Sequence, residues 1–206
     1  MDIVVSALML LITSPIFLIA SIAIKLYDGG PVFYRQARCT MNGKVFHIFK
    51  FRSMIVDAEK DGKSQPAADH DPRITPVGRV LRATRLDELP QLIDILIGNM
   101  SLVGPRPERV EHVEKYTEDL AEFEYRLKVR GGLTGYAQIY GKYNTSPYDK
   151  LQLDLIYIQN YSIFLDIKLI LMTIKIMFMK ESTEGFSEEQ KKEYVCLLYT
   201  SELPTT

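Results

Sequence analysis

Residues 84–92 read Thr-Arg-Leu-Asp-Glu-Leu-Pro-Gln-Leu, and this stretch carries two adjacent carboxylates, Asp87 and Glu88. The spacing predicts a helix that begins here, with Asp87 as its cap and Pro90 in the first turn, where a missing N–H costs nothing. A helix start attracts phosphate, because it gathers unpaired N–H groups and the positive end of the dipole. A carboxylate nucleophile beside a carboxylate that holds Mg²⁺ is a workable phosphoryl-transfer site. The simpler interpretation is an ordinary helix start, and the surrounding sequence decides between the two.

Basic and proline-rich blocks surround this stretch, at residues 46–54, 71–75, 78–82, 98–108 and 132–135. Taken in that order, the blocks resemble the bacterial sugar transferase family, the monotopic polyprenyl-phosphate phosphoglycosyl transferases. The resemblance runs from about residue 2 to residue 185. It is closest to the catalytic C-terminal part of the long exopolysaccharide-type members, so we expect their larger N-terminal membrane region to be absent from this chain.

Composition excludes some classes of function. The 206 residues carry 25 Lys and Arg against 26 Asp and Glu, a net charge of -1. A nucleic-acid-binding protein needs a clear basic excess, so we expect no nucleic-acid partner. Cys39 and Cys196 are too few for a disulfide framework, which indicates a reducing compartment. The three histidines, His47, His70 and His112, are scattered and predict no zinc site.

The segment Ile3–Ile24 is almost wholly apolar. At ~1.5 Å per residue it would form about 33 Å of helix, enough to cross a ~30 Å hydrocarbon core. Ser14-Pro15 at its midpoint leaves two alternatives, because proline removes one backbone hydrogen bond. From the residues alone, a kinked spanning helix is favoured over a re-entrant hairpin. The resemblance implies the reverse, since its members use a Ser-Pro-broken re-entrant helix.

Turn residues and hydrophobic periodicity predict the remaining elements. Val32–Tyr34 and Val45–Phe51, separated by Asn42-Gly43, are typical of a β-hairpin. Residues 58–76 read as a loop. Helices are predicted over residues 88–97, 107–127, 148–161 and 163–179. The last of these fits either a buried core helix or an interfacial helix whose lysines, Lys168 and Lys175, reach toward the headgroups.

The predicted fold class is α/β, helix-rich, with one compact membrane-associated catalytic domain and interfacial amphipathic helices. Residues 1–27 are assigned to the membrane re-entrant helix and residues 28–185 to the catalytic domain. Residues 186–206 are assigned to a tail that we do not expect to be part of the fold.

The resemblance implies a specific reaction. A nucleotide-diphosphate sugar, with a UDP-hexose as the expected donor, gives its phosphosugar to undecaprenyl phosphate and releases UMP. Asp87 would attack the phosphate next to the sugar, forming an aspartyl-phosphosugar that the lipid phosphate then displaces. Asp87 and Glu88 would hold the Mg²⁺ cofactor, which neutralises the diphosphate. The implied pathway is synthesis of an exopolysaccharide or a related glycan.

The resemblance also implies the residues that bind substrate. Lys50, Arg52 and Arg82 match family positions near the active site and would supply cations for the phosphates. In Pro105-Arg106-Pro107 the two prolines fix the backbone around one Arg, which suits contact with a nucleotide or phosphate at low entropic cost. Asp154 matches a family acid near the nucleotide. For each lone Arg, the simpler interpretation is a solvated surface charge.

Two other functions fit parts of the sequence. Asp69-His70-Asp71 has the Asp-x-Asp spacing of a metal-dependent glycosyltransferase, which would release nucleoside diphosphate. A non-catalytic membrane-anchored scaffold that binds nucleotide sugar is the second alternative. With the phosphoglycosyl transferase interpretation, the expected location is the cytoplasmic face of a bacterial inner membrane. The expected partners are nucleotide sugar, polyprenyl phosphate and membrane lipid, with a homodimer as an assembly to test.

Overall fold

The computed structural model describes residues 1–58, 71–141 and 145–177. The helices are α1 Asp2–Asp28, α2 Pro76–Ala83, α3 Gln91–Leu96, α4 Val110–Asp119, α5 Tyr136–Tyr140, α6 Pro147–Gln159 and α7 Ile163–Met177. The strands are β1 Phe33–Cys39, β2 Val45–Phe51, β3 Ser101–Val103 and β4 Gly132–Thr134, and short 3₁₀ helices cover Met41–Gly43, Leu86–Glu88 and Ala121–Lys128. A helix-rich chain with small sheets agrees with the predicted α/β class.

Helix α1 continues through Pro15 as one helix. Proline has no N–H to donate to the carbonyl of Leu11, four residues earlier. The Ser14 hydroxyl donates to that same carbonyl oxygen at 2.8 Å, so the exposed acceptor is satisfied. The helix ends where Gly29 takes a left-handed conformation with φ of 71°. In length and composition α1 is the single described helix that could cross a membrane.

Both ends of α1 lie against the same globular domain. At its start, Asp2 accepts a hydrogen bond of 3.4 Å from the backbone N–H of Leu102. At its end, Asp28 forms an ion pair with Arg52 at the end of β2. A straight helix of this length is about 40 Å long. Since both ends contact the domain, neither end of α1 projects away from it.

The predicted hairpin is confirmed. β1 and β2 pair antiparallel, with Phe33 opposite Phe51 and Cys39 opposite Val45. Asn42 at φ of 58° and Gly43 at φ of 71° make the turn, as the Asn-Gly pair predicts. β1 is longer than predicted and extends to Cys39.

The core lies between the hairpin, α1 and the C-terminal helices. Its most deeply buried members include Leu92, Ile95, Met100, Tyr157 and Leu169, each at most 1% exposed. β3 and β4 form a second, parallel pair. There Gly132 permits a close approach, since a Cβ on it would lie 2.1 Å from the backbone nitrogen of Gly104. This pair places the segment after β3 beside the start of α4.

Two helix predictions are wrong in their bounds. The helix predicted over residues 88–97 is α3, which begins only at Gln91. The helix predicted over residues 107–127 is two elements, α4 and the 3₁₀ helix Ala121–Lys128, because Leu120 is extended at φ of -149° and ψ of 93°. Helix α6 is confirmed, with a start one residue before and an end two residues before the predicted bounds. Helix α7 is confirmed from Ile163 to Met177, where the described residues end.

The predicted loop 58–76 lies mostly outside the described residues. At its end, however, Pro76 already belongs to α2, which Thr75 caps by accepting a hydrogen bond of 2.9 Å from the Gly78 N–H. The tail 186–206 also lies outside the described residues, and the division into three segments stays a prediction.

Helix α7 has one buried face and one exposed apolar face. Leu169 is fully buried and Asp166 is nearly so. The exposed apolar side chains are Ile163, Phe164, Ile167, Leu171 and Ile174. Lys168 and Lys175 are exposed with them. The buried face agrees with a core helix. The exposed apolar face, with the two lysines, suits an interfacial helix.

Candidate active site

Asp87 and Glu88 lie in a 3₁₀ helix of three residues, Leu86–Glu88. Arg85 before it is left-handed, with φ of 54° and ψ of 17°, and this reverses the chain after α2. The predicted capping role of Asp87 is wrong, because no side chain caps this turn and Pro90 precedes α3 instead of lying in its first turn. The turn still brings both carboxylates to the lining of one cavity.

Glu88 is held between two cations from distant parts of the chain. Its Oε1 accepts a hydrogen bond from Lys50 Nζ at 2.7 Å and another from the Arg106 guanidinium. Burial alone would raise the pKa of Glu88, but Arg106 and Lys50 outweigh it and hold that pKa well below its usual range. Glu88 is therefore ionised and fixed in position.

Asp87 differs from its neighbour, since it has no hydrogen-bond or ion-pair partner among the residues that the structure describes. Burial and the negative charge of Glu88 raise the pKa of Asp87, although Lys50, Arg82 and Arg106 act in the opposite direction. A carboxylate that faces a cavity, with its oxygens uncommitted and its basicity raised, is a suitable nucleophile. The cation pair that immobilises Glu88 leaves Asp87 available.

The cavity encloses about 580 Å³ and is rich in cations. Of the residues predicted to bind phosphate, Lys50, Arg52, Arg82 and Arg106 all line it. Lys50 comes from β2, and Arg82 comes from the last turn of α2. The arrangement suits a substrate with two or more phosphates, because several fixed cations can share the charge.

Three further arginines line the cavity that the sequence did not single out, Arg35, Arg38 and Arg109. Arg35 and Arg38 lie on β1, and an antiparallel bridge joins Arg38 to Arg109. Burial and the charge of Arg106 lower the pKa of Arg38 to about 10. The density of Lys and Arg between Arg35 and Arg109 in the sequence indicates an anion-binding site. Which of these residues line the cavity is known only from the structure.

Contacts hold the Pro105-Arg106-Pro107 segment on both sides. The backbone carbonyl of Arg106 accepts from the Arg126 guanidinium at 3.0 Å. The carbonyl of Pro107 accepts from Arg38 at 3.0 Å. Both prolines are buried while the Arg106 side chain reaches Glu88. The charge of Glu88 raises the pKa of Arg106 despite burial. This supports the prediction of a rigid segment that presents one Arg.

Arg52 and Asp154 make contacts other than the predicted ones. The Arg52 guanidinium donates to Asp28 at 2.6 Å and to the carbonyl of Pro31 at 2.6 Å, so it ties the end of α1 to β2. Asp154 is 1% exposed, pairs with Arg126 at 2.7 Å and does not line the cavity. Its partner Arg126 contacts the backbone carbonyl of Arg106. That either residue binds substrate stays a prediction.

Asp87 and Glu88 are adjacent carboxylates that line the cavity and could hold a metal, and Asp57 lines the same cavity. The described residues contain no cluster of three or more His, Cys, Asp or Glu that would hold a metal alone. Mg²⁺ needs only one or two carboxylates when substrate phosphates and water complete its shell. The uncommitted Asp87 oxygens fit such a shared site, and Glu88 Oε2, which accepts a long hydrogen bond of 3.5 Å from Arg106, would have to share its lone pairs with the metal.

The Asp-x-Asp alternative rests on residues that the structure describes only in part. Asp69 and His70 lie outside the described residues. Asp71 forms an ion pair with Arg73 at 2.6 Å. It does not line the cavity that Asp87 and Glu88 share.

Comparison with known proteins adds to this geometry. The family model described as bacterial sugar transferase matches residues 1–180. The chain is 45% identical over 186 residues to a UDP-glucose:undecaprenyl-phosphate glucose-1-phosphate transferase of Klebsiella pneumoniae, covering 88% of this chain and 40% of that relative. It is 39% identical over 178 residues to a UDP-N-acetylgalactosamine-undecaprenyl-phosphate N-acetylgalactosaminephosphotransferase of Aeromonas hydrophila, covering 85% of this chain and 42% of that relative.

A shorter relative is matched over most of its own length. The uncharacterized sugar transferase EpsL of Bacillus subtilis strain 168 is 37% identical over 183 residues, covering 89% of this chain and 88% of that relative. By contrast, the chain spans about two-fifths of the length of the Klebsiella and Aeromonas relatives. The family match covers 180 of the 206 residues, and it shows that this chain belongs to the bacterial sugar transferase family.

Proposed function

We propose that the protein transfers a phosphosugar from a UDP-sugar to undecaprenyl phosphate and releases UMP. The observation that carries this proposal is the contrast between the adjacent carboxylates. Glu88 is clamped by Lys50 and Arg106, while Asp87 faces the cavity without a partner among the described residues. The names of the relatives support the substrate classes, since those proteins are named for UDP-sugars and undecaprenyl phosphate.

The reaction proceeds in two displacements at phosphorus. In the first, an Asp87 oxygen forms a bond to the phosphate that carries the sugar, and the bond to the UMP oxygen breaks. In the second, an oxygen of the lipid phosphate forms a bond to the same phosphorus, and the aspartyl oxygen leaves as carboxylate. Dividing the transfer lets each polyanionic substrate meet a single fixed partner.

The cations of the cavity compensate the charge that moves. Arg82 is exposed at the cavity and free to meet the diphosphate, while Lys50 and Arg106 keep Glu88 in place. Mg²⁺ shared by Asp87, Glu88 and the diphosphate would neutralise the leaving phosphate. Ionised Glu88 keeps the basicity of Asp87 raised, which favours attack by the carboxylate once the phosphates are neutralised.

We further propose that the domain sits on the cytoplasmic face of a bacterial inner membrane. Both ends of α1 contact one domain, through Asp2 and Asp28, which supports a helix that enters and leaves by the same face. The exposed apolar face of α7, with Lys168 and Lys175 beside it, supports an interfacial helix. The predicted homodimer stays a prediction, which light scattering in detergent would check.

The test combines intact mass with nucleotide release. Purified protein in detergent is incubated with Mg²⁺ and a panel of nucleotide sugars, without lipid acceptor. A phosphosugar adduct with stoichiometric nucleoside monophosphate is expected, and Asp87→Asn should abolish both. Asp119→Asn, which removes an exposed carboxylate outside the cavity, is the matched control and should behave as wild type.

Other outcomes identify the alternatives. Release of nucleoside diphosphate would favour a glycosyltransferase. Absence of both adduct and release, with and without polyprenyl phosphate, would contradict the proposed transfer and favour a non-catalytic relative.

A further inference from the structure

The cavity has apolar lining residues as well as cations. Phe33, Ile55 and Val56, here called the apolar lip, line it and are 39%, 46% and 48% exposed. Lys50 and Arg106 line the same cavity with charge. Half-exposed aliphatic side chains in a cavity gain free energy only when an apolar group covers them. A diphosphate and a sugar offer no such group.

The apolar lip lies at the end of α1. A Cβ placed on Gly30, two residues beyond that helix, would lie 2.8 Å from Val56 Cγ2, so Val56 packs directly on the Gly30 backbone. In the last turn of α1, Leu26 and Tyr27 are 82% and 49% exposed. Exposed apolar side chains therefore occur both in the last turn of α1 and, through Val56, in the cavity close to it, with the Asp28–Arg52 ion pair at the same junction.

We propose that the apolar lip binds the first isoprene units of the polyprenyl phosphate acceptor while its phosphate reaches Asp87. This inference rests on the proposed function. An amphiphile with an anionic head and an apolar chain needs cations and an apolar exit in one cavity, and this cavity supplies both. The exit also adjoins the end of α1, beside which the chain of a membrane lipid would emerge.

The shape of the apolar lip favours an isoprenoid chain over the base of the nucleotide. A base stacks best on an open aromatic face. The Phe33 ring is stacked on Phe51 with centroids 5.5 Å apart and meets Phe49 edge-on at 6.2 Å. Ile55 and Val56 offer branched aliphatic surface, which matches a branched hydrocarbon chain.

Val45 provides a matched control for Val56. Val45 is 49% exposed and Val56 is 48% exposed, but Val45 starts β2 at the turn end of the hairpin and does not line the cavity. Val56→Ser and Ile55→Ser/Val56→Ser are compared with Val45→Ser. Losing the apolar contacts should raise the KM for polyprenyl phosphate about fivefold in the single variant and more in the double variant. Val45→Ser should leave it unchanged.

The first half-reaction, which needs only the nucleotide sugar, distinguishes an effect on acceptor binding from an effect on donor binding. Without acceptor, the rate of adduct formation from nucleotide sugar should be the same in wild type and in all three variants. A slower first half-reaction in Val56→Ser would overturn the proposal and assign the apolar lip to the donor. An unchanged KM for polyprenyl phosphate in the double variant would overturn it as well.

A binding measurement keeps this inference separate from the proposed function. Native mass spectrometry of unreacted protein in detergent measures occupancy by polyprenyl phosphate and by an isoprenyl phosphate of one unit. Wild type should retain the long chain preferentially, and Ile55→Ser/Val56→Ser should lose that preference. If wild type forms no adduct, the proposed function fails, and the chain-length preference alone then decides on the apolar lip. An equal chain-length preference in wild type and in the double variant would refute the proposed role of the apolar lip.

Discussion

Arg126 and Asp154 form an ion pair in the interior of the domain, 3% and 1% exposed, directly behind the active-site cavity. The same Arg126 guanidinium donates at 3.0 Å to the backbone carbonyl of Arg106. Arg106 in turn clamps Glu88. A buried pair that does not line the cavity thus fixes the residue that holds Glu88.

Breaking that ion pair should reduce both stability and catalysis. Asp154→Ala leaves the Arg126 charge buried without its main partner, so it should lower the free energy of unfolding by about 3 kcal/mol. The Arg106 carbonyl would lose a fixed donor, so the rate of adduct formation should fall even well below the melting temperature. Denaturant titration and single-turnover kinetics measure the two effects.

Lys150→Met is the control for this prediction. It removes the 2.7 Å ion pair to Glu108 in the same network without a contact to Arg106. Stability should fall modestly and adduct formation should stay near wild type. Equal kinetic losses in the two variants would show that the role of Asp154 is general stability and not the positioning of Arg106.

Removing the charge of Asp87 and removing the charge of Glu88 should change the free energy of unfolding in opposite directions. The pKa of Asp87 is raised in the folded state, so its ionised form opposes folding above its usual pKa, and Asp87→Asn should leave stability unchanged or slightly higher at pH 7. The pKa of Glu88 is lowered, so its ionised form favours folding, and Glu88→Gln should destabilise by about 3 kcal/mol. Denaturant titration of both variants at pH 7 checks the signs. A clear loss of stability in Asp87→Asn would mean that this carboxylate has a structural partner.

Glu108 should make the protein sensitive to acid. Burial alone would raise the pKa of Glu108, but Lys150 and Arg126 lower it to about 2. Its contribution, about 3 kcal/mol, is complete above the ordinary carboxyl pKa and is lost as the pH falls from about 5 to about 2. Unfolding free energy measured across that range should fall less steeply in Glu108→Gln than in wild type. Parallel curves for the two proteins would contradict this linkage.

Arg52 and Arg82 should have different roles, Arg52 in stabilising the fold and Arg82 in binding substrate. Arg52 is 6% exposed and held by Asp28, so Arg52→Ala should lower the unfolding free energy by about 2 kcal/mol. Exposed Arg82 has no hydrogen-bond or ion-pair partner among the described residues, so Arg82→Ala should change stability by less than about 0.5 kcal/mol. Its KM for nucleotide sugar should rise about tenfold. If Arg52→Ala instead kept full stability and raised that KM, Arg52 would bind phosphate as the sequence predicts.

The sequence was most informative where local chemistry dominates. Asn42-Gly43 between two β-prone runs is sufficient for the hairpin, because the turn residues adopt positive φ and the strands pair next to each other. Ser14 satisfies the carbonyl that Pro15 frees, which also follows from spacing alone. The cavity cations Lys50, Arg82 and Arg106 were located by motif.

The errors arise where long-range contacts decide. Arg85 takes a left-handed conformation that its intrinsic preference opposes, and it thereby converts the predicted helix start into a 3₁₀ turn. The residues that fix Glu88 in that turn lie 38 and 18 positions away. The contact of Asp154 with Arg126, 28 positions away, likewise follows from no local pattern, and a role of Asp154 at the nucleotide stays a prediction.

The topology of α1 yields a prediction that does not depend on catalysis. Asp2 and Asp28 both contact the globular domain, although about 40 Å of straight helix would separate them. In a membrane, the two ends should therefore be accessible from the same side. Single cysteines, one inserted between Met1 and Asp2 and one substituted at Tyr27, in a background with Cys39→Ser and Cys196→Ser, are labelled with an impermeant maleimide in intact spheroplasts and in inside-out vesicles. If the domain sits on the cytoplasmic face as proposed, both cysteines should react only in the inside-out vesicles. Labelling of the inserted cysteine from outside, with Tyr27→Cys labelled from inside, would establish a spanning helix and require the Asp2 contact with Leu102 to open.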